Sequence, residues 1–191
     1  MRVPFVVGIG GTAKLGSSTE QALQIALRAA EEAGARTQFF SGRYIAALPL
    51  YLTESNAEAG ADLVAAIRQA DGVLLASPAY HGAISGAVKN AIDYLEETAR
   101  DPRTYLDGIP VGLIVTAYGW QATGSTLASM RSIVHALRGW PTPFGAALNT
   151  STGIFNGGIC TDALAAGQLS LVGRQVVEFA SLRLSDRSFA A

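Results

Sequence analysis

The sequence is poor in the residue types on which many functions depend. It has one cysteine, Cys160, in 191 residues, and only 15% of its residues are charged. A single cysteine excludes an internal disulfide, and no spacing of His and Cys is typical of a zinc site. The net charge is −1, and Lys and Arg form no cluster. We therefore expect neither nucleic acid nor an anionic membrane as a partner.

Long hydrophobic runs are also missing. No uninterrupted apolar segment reaches the length of a membrane span, and the apolar segment that starts at Pro4 is too short and too early for a secretion signal. We therefore expect a cytoplasmic protein. The length fits a single domain over residues 1–191, with 49% apolar residues for its core. A surface with so little charge favours self-association, so we expect a homo-oligomer.

Short apolar segments alternate with helical patterns along the chain. They predict five strands, at residues 5–9, 36–40, 72–76, 109–116 and 142–148. Five helices are predicted at residues 19–33, 59–69, 85–98, 123–137 and 162–180, with a long connection at 41–57. The third strand is apolar on both faces, which is typical of a buried parallel strand. The alternation predicts an α/β fold with a doubly wound, mostly parallel sheet and helices on both faces. Ligands of such sheets lie beyond the carboxyl ends of the strands.

The loop after the first strand is rich in hydroxyl groups and precedes a helix. A helix N-terminus attracts anions, and Lys14 adds a positive charge. The loop therefore suits a terminal phosphate monoester, unless its hydroxyls serve only as helix caps and turn formers. Residues 8–13 also match the G-x-G-x-x-A dinucleotide pattern, but no carboxylate follows the second strand, which argues against that site. The candidate phosphate ligands are Thr12, Lys14, Ser17, Ser18 and Thr19.

The loop after the third strand carries the most specific motif. It reads Ser-Pro-Ala-Tyr-His-Gly-Ala-Ile-Ser-Gly-Ala-Val-Lys-Asn-Ala-Ile-Asp over residues 77–93. Pro78 is expected to help end the strand because it cannot donate a ladder hydrogen bond. Gly82 lets a flat ligand approach the backbone closely, Tyr80 offers an aromatic face, and Ser85 is a suitable N-cap. The sequence has no G-x-S-x-G motif, so a hydrolase of that type is excluded.

The stretch at 77–93 resembles the S-P-x-Y-x-G-x-x-S-G-x-x-K-N-x-x-D signature of the NADPH-dependent FMN reductase family. The first loop is similar to that family's G-S-x-R-x-x-S phosphate loop, with Thr12 in place of Ser and Lys14 in place of Arg. The segment Leu-Pro-Leu-Tyr at 48–51 resembles the family's connector after the second strand. The resemblance extends over nearly the whole chain. Because Lys offers a point charge where Arg offers a planar fork, phosphate affinity can be lower.

The resemblance implies a flavodoxin-like fold with strand order 2-1-3-4-5 and FMN as cofactor, with NADPH or NADH as electron donor. It places the phosphate on the loop after the first strand, and many family members are dimers or tetramers. The family's Gly-rich loop after the fourth strand contacts the flavin ring. The implied ring contacts are Pro78, Ala79, Tyr80, His81, Gly82, Tyr118, Gly119 and Gly124.

These expectations lead to an NAD(P)H-dependent FMN reductase, in which hydride passes from the nicotinamide to the flavin and reduced flavin serves a partner monooxygenase or another acceptor. No side chain is assigned a catalytic role, because the flavin carries the chemistry. Two alternatives stay open: an enzyme with bound FMN that reduces quinones or azo compounds, and a flavodoxin-type electron carrier. The net charge of −1 argues against the carrier, since carriers are usually strongly acidic.

The roles of three residues, His81, Trp120 and Cys160, stay open. His81 either contacts the flavin or acceptor or is a solvated loop residue. Trp120 either stacks near the flavin or fills a contact between subunits. Cys160 is expected to be an inert thiol rather than a redox centre.

Overall fold

The computed structural model describes residues 2–52 and 58–185. A central sheet carries the fold, and its main strands all run in the same direction. The order across the sheet is β2-β1-β3-β5, with β6 and β7 both paired to β5 beyond it. The main strands are β1 (Phe5–Gly10), β2 (Arg36–Phe40), β3 (Gly72–Tyr80), β5 (Pro110–Ala117), β6 (Trp140–Pro141) and β7 (Ala146–Asn149).

Three shorter strands lie outside this parallel core. The strand β4 (Ala83–Ile84) pairs antiparallel with the end of β3. The strands β8 (Phe155–Asn156) and β9 (Ile159–Cys160) form a separate antiparallel hairpin. The segment 149–161 is rich in Gly, Ser and Thr, which is typical of irregular structure, and this hairpin lies within it.

Helices cover both faces of the sheet, as the alternating pattern predicts. Along β1, Val6 packs on one face while Val7 packs on the other, which is the two-residue period of a strand buried on both sides. One apolar layer lies under α1 and α6, and the other lies under α2 to α5. The helices are α1 (Ser18–Glu32), α2 (Gly42–Ala47), α3 (Ala61–Gln69), α4 (Gly86–Asp93), α5 (Trp120–Ala136) and α6 (Ala163–Ser185), and a 3-10 turn (Tyr94–Thr98) follows α4.

The strand order confirms the flavodoxin-like arrangement 2-1-3-4-5, with the fifth strand divided into β6 and β7. Pro141 and Pro143 lie at and after the end of β6, and a residue without an N–H interrupts a ladder. In the described part of the chain, no helix has both the length and the apolar character needed to cross a bilayer.

Three expectations about the elements were wrong. Part of the supposed connection at 41–57 is the helix α2, which Ser41 caps by accepting a hydrogen bond from the Tyr44 N–H at 3.2 Å; residues 53–57 lie outside the described part. The strand β3 does not end near Pro78 but continues to Tyr80. β1 ends opposite Ala76, so β3 has already lost one neighbour there and a missing N–H is tolerated. The helix α5 begins at Trp120, three residues earlier than expected.

Candidate functional site

A cleft of about 510 Å³ opens at the carboxyl ends of β1, β3 and β5. This is the edge of a doubly wound sheet at which ligands bind. Three chain segments that are distant in sequence form its walls, and a fourth contributes one residue. The lining residues are Thr12, Lys14, Gly16, Ser17, Ser18, Thr19, Pro78, Ala79, Tyr80, Thr116, Ala117, Tyr118, Gly119, Ala122 and Thr150.

One wall is the loop between β1 and α1, residues 10–17, which we call the phosphate loop. Its path depends on close backbone approach. A Cβ on Gly10 would lie 2.1 Å from the carbonyl oxygen of Ala76, and the φ of Gly10 is +148°. A Cβ on Gly42, at the start of α2, would lie 2.1 Å from the carbonyl oxygen of Thr12. The loop is therefore held between β3 and α2 by contacts that only glycine permits.

The phosphate loop leads directly into the N-terminus of α1. Ser17 caps the helix, and its Oγ accepts a hydrogen bond from the Glu20 N–H at 3.3 Å. Thr12 forms a local turn in which its Oγ1 accepts from the Lys14 N–H at 3.2 Å. The first N–H groups of a helix have no partner within it, so those of Ser18 and Thr19 are available to a bound anion. Lys14 is exposed, and among the described residues that line the cleft it is the one cationic side chain.

A buried hydroxyl pair joins this wall to the next strand. The Oγ1 atoms of Thr19 and Thr116 lie 2.6 Å apart, and either hydroxyl can donate. Thr150 completes the arrangement, because its N–H and its hydroxyl both donate to the carbonyl oxygen of Ala117, at 2.8 and 3.3 Å. These bonds fix the floor of the cleft between α1, β5 and the segment after β7.

The second wall is the end of β3, which turns back into β4. His81 and Gly82 form the two-residue turn between the paired residues Tyr80 and Ala83. Their φ values are +53° and +82°, and a two-residue hairpin of this kind needs positive φ at both positions. The carbonyl oxygen of Gly82 accepts a hydrogen bond from the Ser125 hydroxyl at 3.2 Å. The turn is therefore fastened to α5, and neither His81 nor Gly82 is among the residues that line the cleft.

The third wall is the short loop between β5 and α5. Tyr118 is 81% exposed and Tyr80 is 54% exposed, and both border the cleft. Gly119 is the N-cap residue of α5 and provides no side-chain cap, so a second helix N-terminus meets the cleft here. Pro78 and Ala79 add apolar surface to the opposite side. This end of the cleft is apolar and aromatic, whereas the phosphate loop is polar.

Most of the candidate site residues meet in the cleft, and three do not. His81 and Gly82 form the hairpin turn, and Gly124 lies in the second turn of α5 rather than in a loop. The expectation that the helix starts at residue 123 misplaced Gly124. The structure also brings five residues to the cleft that sequence reasoning missed: Gly16, Thr116, Ala117, Ala122 and Thr150. Thr116 ends the predicted fourth strand and Ala117 follows it, so their position at a carboxyl edge was a usable signal.

Two ionisable groups that do not line the cleft, Glu20 and Tyr51, have raised pKa values. Glu20 follows Thr19 in the first turn of α1, is 8% exposed, and its Oε2 has no hydrogen-bond partner in the described residues. Burial raises the pKa of the Glu20 carboxyl above its ordinary value. Burial and a hydrogen bond to Glu97 raise the pKa of Tyr51 to about 12. Tyr51 also anchors the segment after α2 to α4, because its backbone N–H donates a hydrogen bond to the Asn90 side chain at 2.9 Å.

The fold and the cleft together define a flavodoxin-like protein whose site suits a phosphorylated, flat ligand. Hydroxyls, a lysine and the start of a helix lie at one end, and apolar and aromatic surface lies at the other. The donor set at the first end fits a phosphate monoester. Within residues 2–52 and 58–185, no group of three His, Cys, Asp or Glu side chains is placed to hold a metal ion.

A profile of the NADPH-dependent FMN reductase family matches residues 4–153. The chain belongs to this family. Membership confirms the resemblance seen in the sequence, and it supports FMN and NAD(P)H as cofactors and an NAD(P)H:FMN oxidoreductase as the class of enzyme.

Two relatives and one solved structure agree with membership of this family. The chain is 33% identical over 144 residues to an FMN-dependent NADPH-azoreductase of Staphylococcus saprophyticus, with 71% of each chain covered. It is 38% identical over 88 residues to an NADPH azoreductase of a Bacillus species, where the match covers 44% of this chain and 46% of the relative. The match to that relative thus spans less than half of its length. A solved flavoenzyme NAD(P)H:(acceptor) oxidoreductase from Paracoccus denitrificans shares the fold, with a TM-score of 0.71, 21% identity, and coverage of 95% of this chain and 98% of that chain.

Proposed function

We propose that this chain binds FMN in the cleft and transfers hydride from a nicotinamide nucleotide to it, acting as an NAD(P)H-dependent FMN reductase. The observation that carries the proposal is the division of one cleft into a polar end at the phosphate loop and an apolar end at Pro78, Ala79 and Tyr118. FMN has the same division, with a phosphate at one end of its chain and a tricyclic ring at the other. Family membership supports the assignment.

At the polar end, the chain's own residues would hold the phosphate. The ligands we propose are Thr12, Lys14, Ser17, Ser18 and Thr19. The Ser17 hydroxyl takes part in the cap only as an acceptor, so it can still donate its proton outward. The Thr12 hydroxyl accepts from the Lys14 N–H at 3.2 Å and donates to the Lys14 carbonyl oxygen at 3.3 Å, so it must give up this second bond to donate to a phosphate. Lys14 supplies the compensating charge. Because Thr19 is committed to Thr116, its contribution to phosphate binding comes from its backbone N–H.

At the apolar end, we propose that the ring lies against Pro78, Ala79, Tyr80, Tyr118 and Gly119. His81 and Gly82 form the turn of the hairpin that carries this surface, and Gly124 is part of the helix α5. When bound, FMN supplies the two-electron chemistry, so the protein needs no general acid or base of its own. The free N–H groups at the start of α5 are placed to stabilise negative charge on a ligand in this part of the cleft.

The experiment that tests this function is anaerobic mixing of the FMN-loaded protein with NADPH or NADH, followed by absorbance in a stopped-flow instrument. Bleaching of the flavin spectrum by either nucleotide supports the proposal, and the faster nucleotide identifies the donor. If FMN binds but neither nucleotide bleaches it, the reductase function is wrong and a carrier role is favoured.

The second candidate function keeps FMN bound and passes its electrons to azo compounds or quinones. The names of the two azoreductase relatives favour it. Steady-state kinetics separate the two: ping-pong behaviour with tightly held FMN indicates bound-flavin reduction of an acceptor, and a sequential pattern with release of reduced flavin indicates supply to a partner monooxygenase.

We also keep three proposals about the molecule as a whole. Residues 1–191 form one domain, the protein associates as a homodimer or homotetramer, and it works in the cytoplasm. Sedimentation velocity tests the second of these, and a monomer at all concentrations would contradict it. The exposed aromatic side chains Tyr118 and Trp120 beside the cleft are where a subunit contact would form.

A further inference from the structure

A second, smaller cavity of about 280 Å³ adjoins the cleft, between the start of α5, the segment after β7 and the start of α6. We call it the side pocket. Its floor is apolar and consists of the buried residues Leu148, Ile154 and Ala165. Trp120 and Leu164 stand at its rim and are 68% and 74% exposed. Its volume is at the lower limit for ligand sites, so it suits one substituted aromatic ring rather than a whole nucleotide.

Only a thin ridge separates the side pocket from the cleft. Gly119 lines the cleft and the next residue, Trp120, lines the side pocket. On the other side, Thr150 lines the cleft while its neighbours Asn149 and Ser151 line the side pocket. Consecutive Cα atoms are about 3.8 Å apart. The two linings therefore approach each other to within one residue at two places, which brings the cavities within the length of a two-ring ligand.

The polar groups of the side pocket define the chemistry it accepts. The side chains of Gln168, Ser151 and Thr152 line it and have no hydrogen-bond partner in the part of the chain that the structure describes. Asp162 is the one ionisable residue in the lining, and its Oδ1 accepts a hydrogen bond from the Ala165 N–H at 3.0 Å. The described lining holds no Lys, Arg or His. An uncharged ring with polar substituents fits these groups. An anionic ring is disfavoured, because the Asp162 carboxylate caps the N-terminus of α6 and offsets the attraction of that terminus for anions.

We propose that the side pocket binds the distal ring of a two-ring, uncharged aromatic electron acceptor whose first ring lies in the cleft. Asp162 makes the pocket select against sulfonated and carboxylated rings. The inference rests on the proposed function, because the first ring needs the flavin site beside it. It adds the class of acceptor, which the cleft alone does not define.

The direct test is binding without turnover, in FMN-loaded protein with no nicotinamide present. The two probes are 4,4′-diaminoazobenzene and azobenzene-4,4′-disulfonate; both are symmetric, so either orientation places the same kind of ring in the side pocket. The sequence has two tryptophans, so the indole N–H region of an NMR spectrum contains two signals, which Trp140→Phe assigns. Trp140 packs edge-on against Phe179 at a centroid distance of 5.3 Å and serves as the internal control.

We expect the diamino compound to shift the Trp120 signal saturably and to leave the Trp140 signal in place. The disulfonate should bind more weakly by about fivefold or more, since two unit charges near 4 Å apart repel by about 1 kcal/mol even in water. Asp162→Asn should reduce the ratio of the two affinities, diamino compound over disulfonate, by about threefold. The reason is that Asn still caps α6 and carries no charge. The matched control is Glu178→Gln, an exposed acidic residue on the same helix roughly 24 Å along its axis, which should leave the ratio as it is.

The outcomes separate the inference from the function beneath it. FMN binding is measured first, by quenching of flavin fluorescence, and its failure overturns both. If FMN binds and NADPH bleaches it, but the Trp120 signal does not respond to the diamino compound, the side pocket is not an acceptor site and the reductase function stands. If Asp162→Asn and Glu178→Gln reduce the ratio of the two affinities equally, the effect is one of general charge, and this result would also overturn the inference.

Discussion

The two ends of the cleft are built in different ways. The phosphate loop has almost no freedom: Gly10 and Gly42 lie against backbone atoms of β3 and of the loop itself, and Ser17 caps α1. The apolar end consists of side chains with few commitments, and Tyr118 is 81% exposed. Backbone packing therefore determines the shape of the polar end, whereas exposed side chains form the surface of the apolar end. Substitutions at the two ends should therefore differ in what they damage.

The largest effect is expected for Gly10→Ala. The new Cβ would lie 2.1 Å from the Ala76 carbonyl oxygen at a φ of +148°, so the substitution should lower the free energy of unfolding by about 3 kcal/mol or more. Urea denaturation measures it. The control is Gly124→Ala, an exposed helical position with no atom within 4 Å of the added Cβ, where a gain of about 0.5–1 kcal/mol is expected. Equal stability of the two variants would contradict the description of the loop.

The hydroxyl pair under the loop should give the next largest effect. Thr19→Val and Thr116→Val each leave one buried hydroxyl without its partner, which should cost about 1–3 kcal/mol of unfolding free energy. The double variant removes both hydroxyls, so its cost should be smaller than the sum of the two. A double-mutant cycle of urea denaturation without FMN measures the coupling. Strictly additive costs would mean that the pair does not interact.

At the apolar end, Tyr118→Ala should weaken FMN binding while leaving stability intact. Loss of an aromatic face should reduce affinity about three- to tenfold, in line with about 1 kcal/mol for such a contact. Because Tyr118 is largely exposed, the free energy of unfolding should change by less than about 0.5 kcal/mol. Tyr118→Phe keeps the ring and should restore most of the affinity, as followed by flavin fluorescence. A large loss of stability would show that the two ends do not differ as described.

The smallest effect concerns Glu20, which lies behind the phosphate loop. Burial raises the pKa of Glu20 above 4.5 in the folded protein, so the unfolded chain ionises at lower pH. The buried carboxylate therefore costs no stability below pH 4.5, and the penalty grows as the pH rises from 4.5 through the folded-state pKa. The free energy of unfolding of Glu20→Gln, compared with that of wild type, should therefore increase as the pH rises through this range. Thermal unfolding across a pH series tests this, and parallel stability curves for the two proteins would contradict it.

The sequence predicted those parts of the molecule that follow from local pattern. The alternation of apolar runs and helical segments led to the parallel sheet, and the position of a loop after a strand led to ten of the residues that line the cleft. Ser85 was expected to be an N-cap, and its Oγ does accept from the Val88 N–H at 3.2 Å. These features depend on neighbours in sequence, which is why they are readable from it.

The remaining features depend on contacts between distant segments. Nothing local shows that β1 ends at Gly10, opposite Ala76 of β3, which is what allows β3 to pass through Pro78. The positive φ of His81 is not a property of histidine but of the two-residue turn in which it lies. Thr150 reaches the cleft only because the Ala117 carbonyl binds it, across 33 residues of chain.

The proposed function depends above all on recognition of the FMN phosphate by the phosphate loop. The most direct measurement is a pair of calorimetric titrations, with FMN and with riboflavin, on the wild-type protein and on Lys14→Ala. We expect FMN to bind wild type at least tenfold more tightly than riboflavin does, and the substitution to reduce that difference by weakening FMN alone, since charge-assisted hydrogen bonds contribute about 1.5–3 kcal/mol. Equal affinities for the two flavins in wild type, or a loss of riboflavin binding that matches the loss of FMN binding in Lys14→Ala, would contradict it.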